Sequence, residues 1–291
     1  MFVYLGGKMK FSCGVTLFYP NTSELEEILN YEQCFERVYL YDNTEGEQAK
    51  LNRGYFEGKS KFIYISNQIN NGLSIAFNNM CKQAIKDEFD FICLFDQDSV
   101  ISNNDLLKMR TFIESYGQSS VAIYAPEIVY AHSNEHKKVS TKEEQTEELD
   151  WVITSGSFIN LSIYDEIGGF DENYFIDRLD YDYCIMVRKS GYKIVKVNKI
   201  YLFQKLGESI KKWGIEFSEH SPIRHYYMFR NRLYFLLKRN KPSLILIGKS
   251  IFLSIRHFLL VILLEKEKYR KIKMLVKGSK DFILNNMGKI Q

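Results

Sequence analysis

Much that would mark a secreted, repetitive or nucleic-acid-binding protein is missing from this chain of 291 residues. There is no internal repeat and no low-complexity linker, which excludes solenoids and tethered modules. The net charge of +3 is too small for the whole molecule to be an obvious nucleic-acid binder. Cysteines number five, Cys13, Cys34, Cys81, Cys93 and Cys184. An odd set, widely spaced and mostly inside apolar segments, reads as reduced core thiols of a cytosolic protein, not a disulfide framework. The histidines, His132, His136, His220, His225 and His257, lack zinc-type spacing, so none is assigned to a metal. Residues 1–10 have neither the long apolar segment nor the small-residue cleavage site of a secretory signal, and Met9 could be the natural start. The longest apolar stretch, Leu244 to Leu264, is interrupted by Lys249, Arg256 and His257, so a helix lying on a membrane fits better than a simple span.

What is present is an apolar, aromatic-rich globular chain. With 45% hydrophobic residues it is large enough for one α/β domain with an appendage, and the expected division is 1–240 and 241–291. Charge is segregated: from Lys238 to Asp281 there are twelve Lys or Arg against three acids, whereas Glu135 to Asp150 is rich in Glu. The basic, apolar C-terminal stretch points to an anionic surface, with Lys249, Arg256, Lys266, Lys268, Arg270, Lys271 and Lys273 toward lipid headgroups, or else to an extra helical layer.

Periodicity organises the remainder. Phe11 to Phe18 is short and β-rich; Tyr19-Pro20-Asn21 breaks it, and Ser23 with Glu26 can form a capping box for the next helix. Val38 to Tyr41 and Phe62 to Ser66 read as strands, Gly72 to Lys86 as a helix with one apolar face, and Phe89 to Phe95 as a further strand. A strand-helix alternation of this kind makes a parallel sheet, whose ligands gather beyond the carboxyl ends of the strands, where Asp42, Asn67, Asp96 and Asp98 fall. Later come a helix over Asn104 to Tyr116, a strand over Val121 to Ala125, a polar loop from His132 to Leu149, a strand over Trp151 to Ile159, a turn at Gly168-Gly169-Phe170, a helix from Leu179 to Ser190 closed by Gly191, and a strand from Tyr192 to Val197.

Two acidic constellations carry the chemistry. Asp96-Gln97-Asp98-Ser99 puts two carboxylates at a strand end, an arrangement suited to a divalent cation that already carries phosphate oxygens. Asp171, Glu172, Asp177, Asp180 and Asp182 are interleaved with Tyr174, Phe175, Ile176 and Tyr181, a mixture that suggests a sugar pocket. Gly168 and Gly169 read as turn residues. Trp151 and Trp213 could stack on sugar or pack in the core.

Set beside these, Tyr41-Asp42-Asn43-Thr44, the run Asn70-Asn71-Gly72-Leu73-Ser74-Ile75-Ala76 leading to Asn78, Ser155-Gly156-Ser157, and Gly168-Gly169-Phe170-Asp171-Glu172 continuing through Asp180, Asp182 and Arg188 to Gly191-Tyr192 give the chain its likeness. It resembles glycosyltransferase family 2, and within it the bacterial rhamnosyltransferase-like branch. The resemblance implies a GT-A type α/β fold, a mostly parallel central sheet flanked by helices with a C-terminal helical extension. It also implies a nucleotide-sugar donor and inversion at the anomeric carbon. It further implies Asp42 on the pyrimidine, Asn71 and Gln97 on the donor side, Asp96 and Asp98 as donor and metal pair for Mn2+ or Mg2+, and Asp180 as catalytic base. Asp177, Gly156 and Trp151 fall on the acceptor side. Arg224 and Arg230, in a motif recurring after the catalytic domain, are expected to clamp the diphosphate.

One departure stands out: the family's usual His is replaced in Gln204-Lys205-Leu206-Gly207, so either Asp98 and phosphate hold the metal or Lys205 supplies charge instead. The favoured donor is dTDP-rhamnose and the acceptor a hydroxyl of a surface polysaccharide or lipid-linked glycan, at the inner face of the cell membrane, with peripheral contact through 241–291. UDP-linked hexoses or galactofuranose are alternatives, as is an inactive carbohydrate-binding protein. A nucleotidyltransferase is disfavoured because Cys13 to Asn21 has no Gly-rich basic loop.

Overall fold

In a computed structural model of the protein, residues 8–116, 118–130, 145–204, 209–212, 215–239 and 243–291 are described. Lys205, Trp213 and most of the expected polar loop lie outside them. Contacts divide the chain into two compact units, one of described residues up to Asp171 and from Asp180 to the end of the last long strand, the other of 172–179 and the described residues from 209 onward. The division thus falls before the 240/241 boundary read from composition.

The first unit starts with β1 (Phe11–Leu17), every residue of which is buried. A continuously buried strand of this kind belongs in the middle of a sheet covered on both faces. β2 (Arg37–Asp42), β3 (Phe62–Ile65) and β4 (Phe91–Asp96) run parallel to it, β2 and β4 pairing β1 directly and β3 pairing β2. The connections are α1 (Thr22–Leu29) followed by a 3-10 turn, α2 (Glu47–Gly54) and α3 (Leu73–Lys86). α3 buries Ala76, Phe77, Met80, Cys81 and Ala84, the apolar stripe that its spacing requires.

The sheet continues through β5 (Ser99–Ile101), β6 (Val121–Tyr130), β7 (Thr146–Glu148), β8 (Ser157–Asn160) and β9 (Lys193–Gln204) in the order β3-β2-β1-β4-β8-β6-β9-β5, with β7 also on β9. β8 is antiparallel to both β4 and β6, and β5 is antiparallel to β9, so the sheet is mixed but mostly parallel. α4 (Asn103–Tyr116), α5 (Leu161–Ile167) and α6 (Leu179–Lys189) complete the helical cover. Phe11 stacks on Phe91 at 5.6 Å and meets Phe158 edge-on at 6.2 Å, tying β1, β4 and β8 into one core. All five cysteines are buried and free.

Two local readings change. The capping box of α1 is formed by Asn21 and Glu24, the Asn21 side chain accepting from Glu24 N at 3.0 Å and Glu24 accepting from Asn21 N at 2.9 Å. Ser23-Glu26 has the same spacing two residues later, and Asn caps as well as Ser, so sequence alone left the frame ambiguous. The strand expected from Trp151 is shorter, because residues 151–156 form an irregular loop ahead of β8.

The second unit contains a hairpin of β10 (Ser209–Lys212) and β11 (Ile215–Ser218), and helices α7 (Pro222–Tyr234), α8 (Leu244–Leu263) and α9 (Lys268–Ile283). Ser221 caps α7, accepting from Arg224 N, with Pro222 at its first position.

Candidate functional site

The parallel strands of the first unit deliver polar residues to one edge. Thr16 pairs with Tyr41 on one side and Asp96 on the other, and Leu17 pairs with Asp42. At the ordinary strand spacing, the backbones of Asp42 and Asp96 therefore stand about 10 Å apart across the end of β1. Between them, Phe18 and Tyr19 emerge half exposed, their rings edge to face at 4.8 Å. Expected from sequence as the last strand residue and the first residue of the break after it, Phe18 and Tyr19 offer flat apolar surface beside the acidic edge.

Asp42 is fully buried. Its Oδ1 accepts from Thr44 N at 2.7 Å, and its Oδ2 accepts from Asn52 Nδ2 at 2.9 Å and from the Tyr64 hydroxyl. Burial first, and then the bond to Asp42, push the Tyr64 phenol far above its ordinary range, so it remains a donor. Asn71 sits in the same cluster: its backbone N donates to Asn43 Oδ1 at 2.9 Å and its side chain to the Tyr41 hydroxyl at 3.0 Å and Asn67 Oδ1 at 3.1 Å. These bonds fix the loops after β2 and β3. Asn52 and Tyr64, absent from the sequence expectations, carry no motif that separates them from ordinary helix and strand residues.

The turn between β4 and β5 presents Asp96, Gln97 and Asp98, all half-buried. Gln97 is a clasp: it accepts from Phe18 N at 2.7 Å and donates to Phe18 O at 3.3 Å and to the capping carboxylate of Glu24 at 3.0 Å. Asp98 has no hydrogen-bond or ion-pair partner among the described residues. Gln204 lies opposite Ser99 in the β5–β9 pairing, so the residue standing where the family has His is adjacent to the acidic turn. No group of three or more His, Cys, Asp or Glu side chains placed to hold a metal occurs among the described residues. Asp96 and Asp98 nevertheless suit a cation whose other ligands come from a diphosphate and water, since such ions need only one or two protein carboxylates.

The loop 151–156 bonds both the acidic turn and Asp180. Ser155 Oγ accepts from Asp96 N at 3.1 Å and donates to Ser99 Oγ at 2.8 Å. The neighbouring Thr154 donates from its backbone N at 3.0 Å, and also from its hydroxyl, to Oδ1 of Asp180 at the start of α6. Adjacent residues of one loop thus hold the acidic turn and Asp180. Gly156 closes this loop at φ 77, and its N donates to Leu94 O at 2.7 Å; a side chain there would be strained by the backbone and pressed against Leu202 and Pro126. Beside Asp180, Trp151 and Tyr181 form an exposed edge-to-face pair at 5.9 Å. Thr154 escaped the sequence reading although it adjoins Ser155-Gly156-Ser157, because its partner is 26 residues away.

Gly169 belongs to packing. A Cβ there would come within 2.3 Å of the Tyr164 hydroxyl and 2.4 Å of Asn78 Oδ1. Asn78 holds this turn by accepting from Phe170 N at 2.9 Å and donating to Phe170 O at 2.8 Å.

Asp177, Arg224 and Arg230 lie in the second unit. Asp177 and Arg178 both have positive φ, 63 and 70, an uncommon pair of left-handed residues. Asp177 Oδ1 accepts from Arg224 Nη2 at 3.2 Å, while Oδ2 is buried without a hydrogen-bond partner among the described residues. Arg230 is fully buried: its guanidinium donates to Asn231 Oδ1, the Tyr226 hydroxyl, Asn286 O and Asn173 O, and lies 5.2 and 5.1 Å from the Tyr226 and Tyr227 ring centres. The sequence expectation of a diphosphate clamp thus meets a cation already engaged in its own unit.

The mixed, mostly parallel sheet with acidic residues at the carboxyl ends of its strands is a fold of GT-A type. Staphylococcus aureus TarS 1–349 in complex with UDP-GlcNAc shares this fold with a TM-score of 0.58 at 16% identity, over 94% of this chain and 81% of that one. GalNAc-T7 with UDP, GalNAc and Mn2+ aligns with a TM-score of 0.58 at 12% identity, over 97% of this chain and 57% of that one. Residues 25–192 match the model of Glycosyl transferase family 2, and the chain belongs to that family. A dTDP-rhamnosyl transferase, RfbF of Shigella flexneri, is 27% identical over 225 residues, 74% of this chain and 76% of that protein. The protein is accordingly a rhamnosyltransferase-like enzyme of the family, a glycosyltransferase dependent on a nucleotide-sugar donor.

Proposed function

We propose that the protein transfers L-rhamnose from dTDP-rhamnose, with inversion, to a hydroxyl of a surface polysaccharide or lipid-linked glycan precursor at the cytoplasmic face of the membrane. The observation that carries this reading is the pair of adjacent loop residues, Ser155 on the acidic turn and Thr154 on Asp180. Likeness to the dTDP-rhamnosyl transferase supports the choice of donor.

Asp180 acts as base, taking the acceptor hydroxyl proton as that oxygen bonds to the anomeric carbon and the bond to the nucleoside diphosphate breaks. A positioned base of this kind contributes about 10²- to 10⁴-fold to rate. Asp98 and Asp96 would hold Mn2+ or Mg2+, which when bound offsets the charge of the departing diphosphate. Asp42 and Asn71 order the donor edge, Gln97 fixes the turn that carries Asp98, and Phe18 and Tyr19 supply a face for the base. Trp151 and Tyr181, flanking Asp180, supply apolar faces for an acceptor sugar, with Gly156 shaping the loop.

A thermal-shift screen over nucleotide diphosphates and nucleotide sugars, with and without manganese, tests the assignment. Ligands that bind only the folded state raise the melting temperature according to concentration over Kd, so dTDP-rhamnose with manganese should give the largest shift. A larger shift with a UDP-hexose would replace the donor. No shift with any nucleotide would refute the reading.

A further inference from the structure

α8 is amphipathic the wrong way round for a water-soluble helix. Its covered side carries polar groups: Ser250 is buried, Ser254 Oγ accepts from Arg232 Nη1 at 3.2 Å, and His257 lies 2.8 Å from His225 Nδ1 and 3.3 Å from Arg232 Nη2. That polar layer continues inward, with His225 Nε2 2.9 Å from Glu265 and Lys271 Nζ 2.7 Å from the same carboxylate and 2.8 Å from Glu219. The outward side is oily. Ile251 is 56% exposed, Phe252 65%, Ile255 55%, Leu259 48% and Leu263 51%, positions that recur at helical spacing along one face.

Water is a poor neighbour for such a face, and an apolar patch of this continuity marks a binding surface. Charge decides what covers it. Between Ser243 and Leu264 there is no acidic residue, and Lys249 and Arg256 are exposed along this helix. On α9, Lys268 and Lys273 are exposed too, whereas Lys271, expected among the lipid-facing cations, is buried in its ion pairs. A two-fold pairing with a second copy would set this cationic helix against itself with no acid on it to answer Lys249 and Arg256. An anionic lipid surface answers both features at once.

By length and composition α8 could cross a membrane. Its polar side, however, is engaged by α7 through His225 and Arg232. We infer that α8 lies in the plane of an anionic bilayer, its face of Ile251, Phe252, Ile255, Leu259 and Leu263 among the acyl chains and Lys249 and Arg256 at the headgroups. At 1.5 Å per residue the helix would run for about 30 Å along the surface. This depends on the second unit alone and stands whether or not the sugar transfer is as proposed.

Flotation of the full-length chain with vesicles of phosphatidylcholine, or of phosphatidylcholine with phosphatidylglycerol, tests it at low and high salt. The protein should float with the anionic vesicles, weakly with the neutral ones, and less as salt rises. F252S/I255S should reduce partitioning at least about tenfold by removing apolar burial. K249E/R256E should abolish the preference for anionic lipid. Both pairs are exposed and should leave the melting temperature unchanged. Nucleotide-sugar binding measured in parallel separates failure of the donor assignment from failure here. Absence of flotation with anionic vesicles, wild-type flotation by both variants, or a lipid-free dimer dissolved by F252S/I255S would each overturn the inference.

Discussion

At the strand-end edge of the first unit, Asp98 has no partner among the described residues and Phe18, Tyr19, Trp151 and Tyr181 are exposed around acidic groups. In the second unit two cations are buried and satisfied, Arg230 by carbonyls and a phenol and Lys271 by Glu219 and Glu265, while Ile251, Phe252, Ile255, Leu259 and Leu263 of α8 are exposed beside Lys249 and Arg256. Charge left open at an edge is available for chemistry. Charge enclosed by partners serves architecture, since an ion inside a protein is tolerable only when it is paired and hydrogen-bonded. The difference also explains why cationic residues are a poor guide by themselves: Arg230 and Arg224 share a short motif, yet one is enclosed and the other half exposed at its side chain.

The contrast can be broken from the second unit first. Arg230→Met takes the guanidinium from Asn231 Oδ1 and from the carbonyls of Asn173 and Asn286, leaves its buried site unfilled by polar contacts, and should cost about 2–4 kcal/mol, seen as a fall of several degrees in melting temperature. The protein that remains folded should bind donor with wild-type affinity. A weakened donor affinity without loss of stability would return Arg230 to the donor site.

In the first unit, Asp98→Ala should weaken nucleotide-sugar binding by about ten- to a hundredfold and remove its dependence on manganese, because a carboxylate with no partner among the described residues contributes little to folding and much to the ligand. Calorimetric titration with and without the metal checks this. Unchanged affinity and unchanged metal dependence would place the cation elsewhere.

Thr154 sharpens the comparison at a smaller scale. Removing its hydroxyl from Asp180 in Thr154→Val should lower turnover about tenfold while leaving KM for donor within about twofold, and Thr154→Ser should restore most of the rate. Equal loss in both variants, with a matching drop in melting temperature, would make the contact structural only.

The smallest effect concerns acidity. Burial first, then Arg232 and His225, push His257 down to about 4, with Glu265 opposing. Because the unfolded chain takes up a proton at a higher pH than the folded one, folding is disfavoured as pH falls from about 6.5 toward 4, and the penalty is complete below the folded value. Screened by solvent at a part-exposed imidazole, the penalty should be on the order of 1–2 kcal/mol. His257→Gln should flatten the fall in melting temperature between neutral and mildly acidic buffer. An unaltered slope would assign the acid sensitivity to other groups.

Sequence periodicity disclosed the strand-helix alternation through β4, the apolar face of α3, and the arrival of Asp42, Asp96 and Asp98 at strand ends, because these follow from spacing along one segment. What it could not disclose were pairings between distant segments. Trp151 to Ile159 read as one strand since apolar residues run through it, but Thr154 and Ser155 turn aside to bond Asp180 and the acidic turn. The α1 cap shifted because two pairs with identical spacing competed. The outward face of α8 was visible as an apolar run; the inward direction of His257 and Lys271 depended on Arg232, Glu265 and Glu219, whose proximity no local pattern encodes.

If the loop that holds the acidic turn and Asp180 serves a single displacement, the decisive comparison is single-turnover transfer against donor dissociation constant in Asp180→Asn. Asn retains the shape but cannot accept the proton, so transfer should slow by about 10³-fold with donor affinity within about threefold of wild type. Near-normal transfer in Asp180→Asn would contradict the assignment of the base.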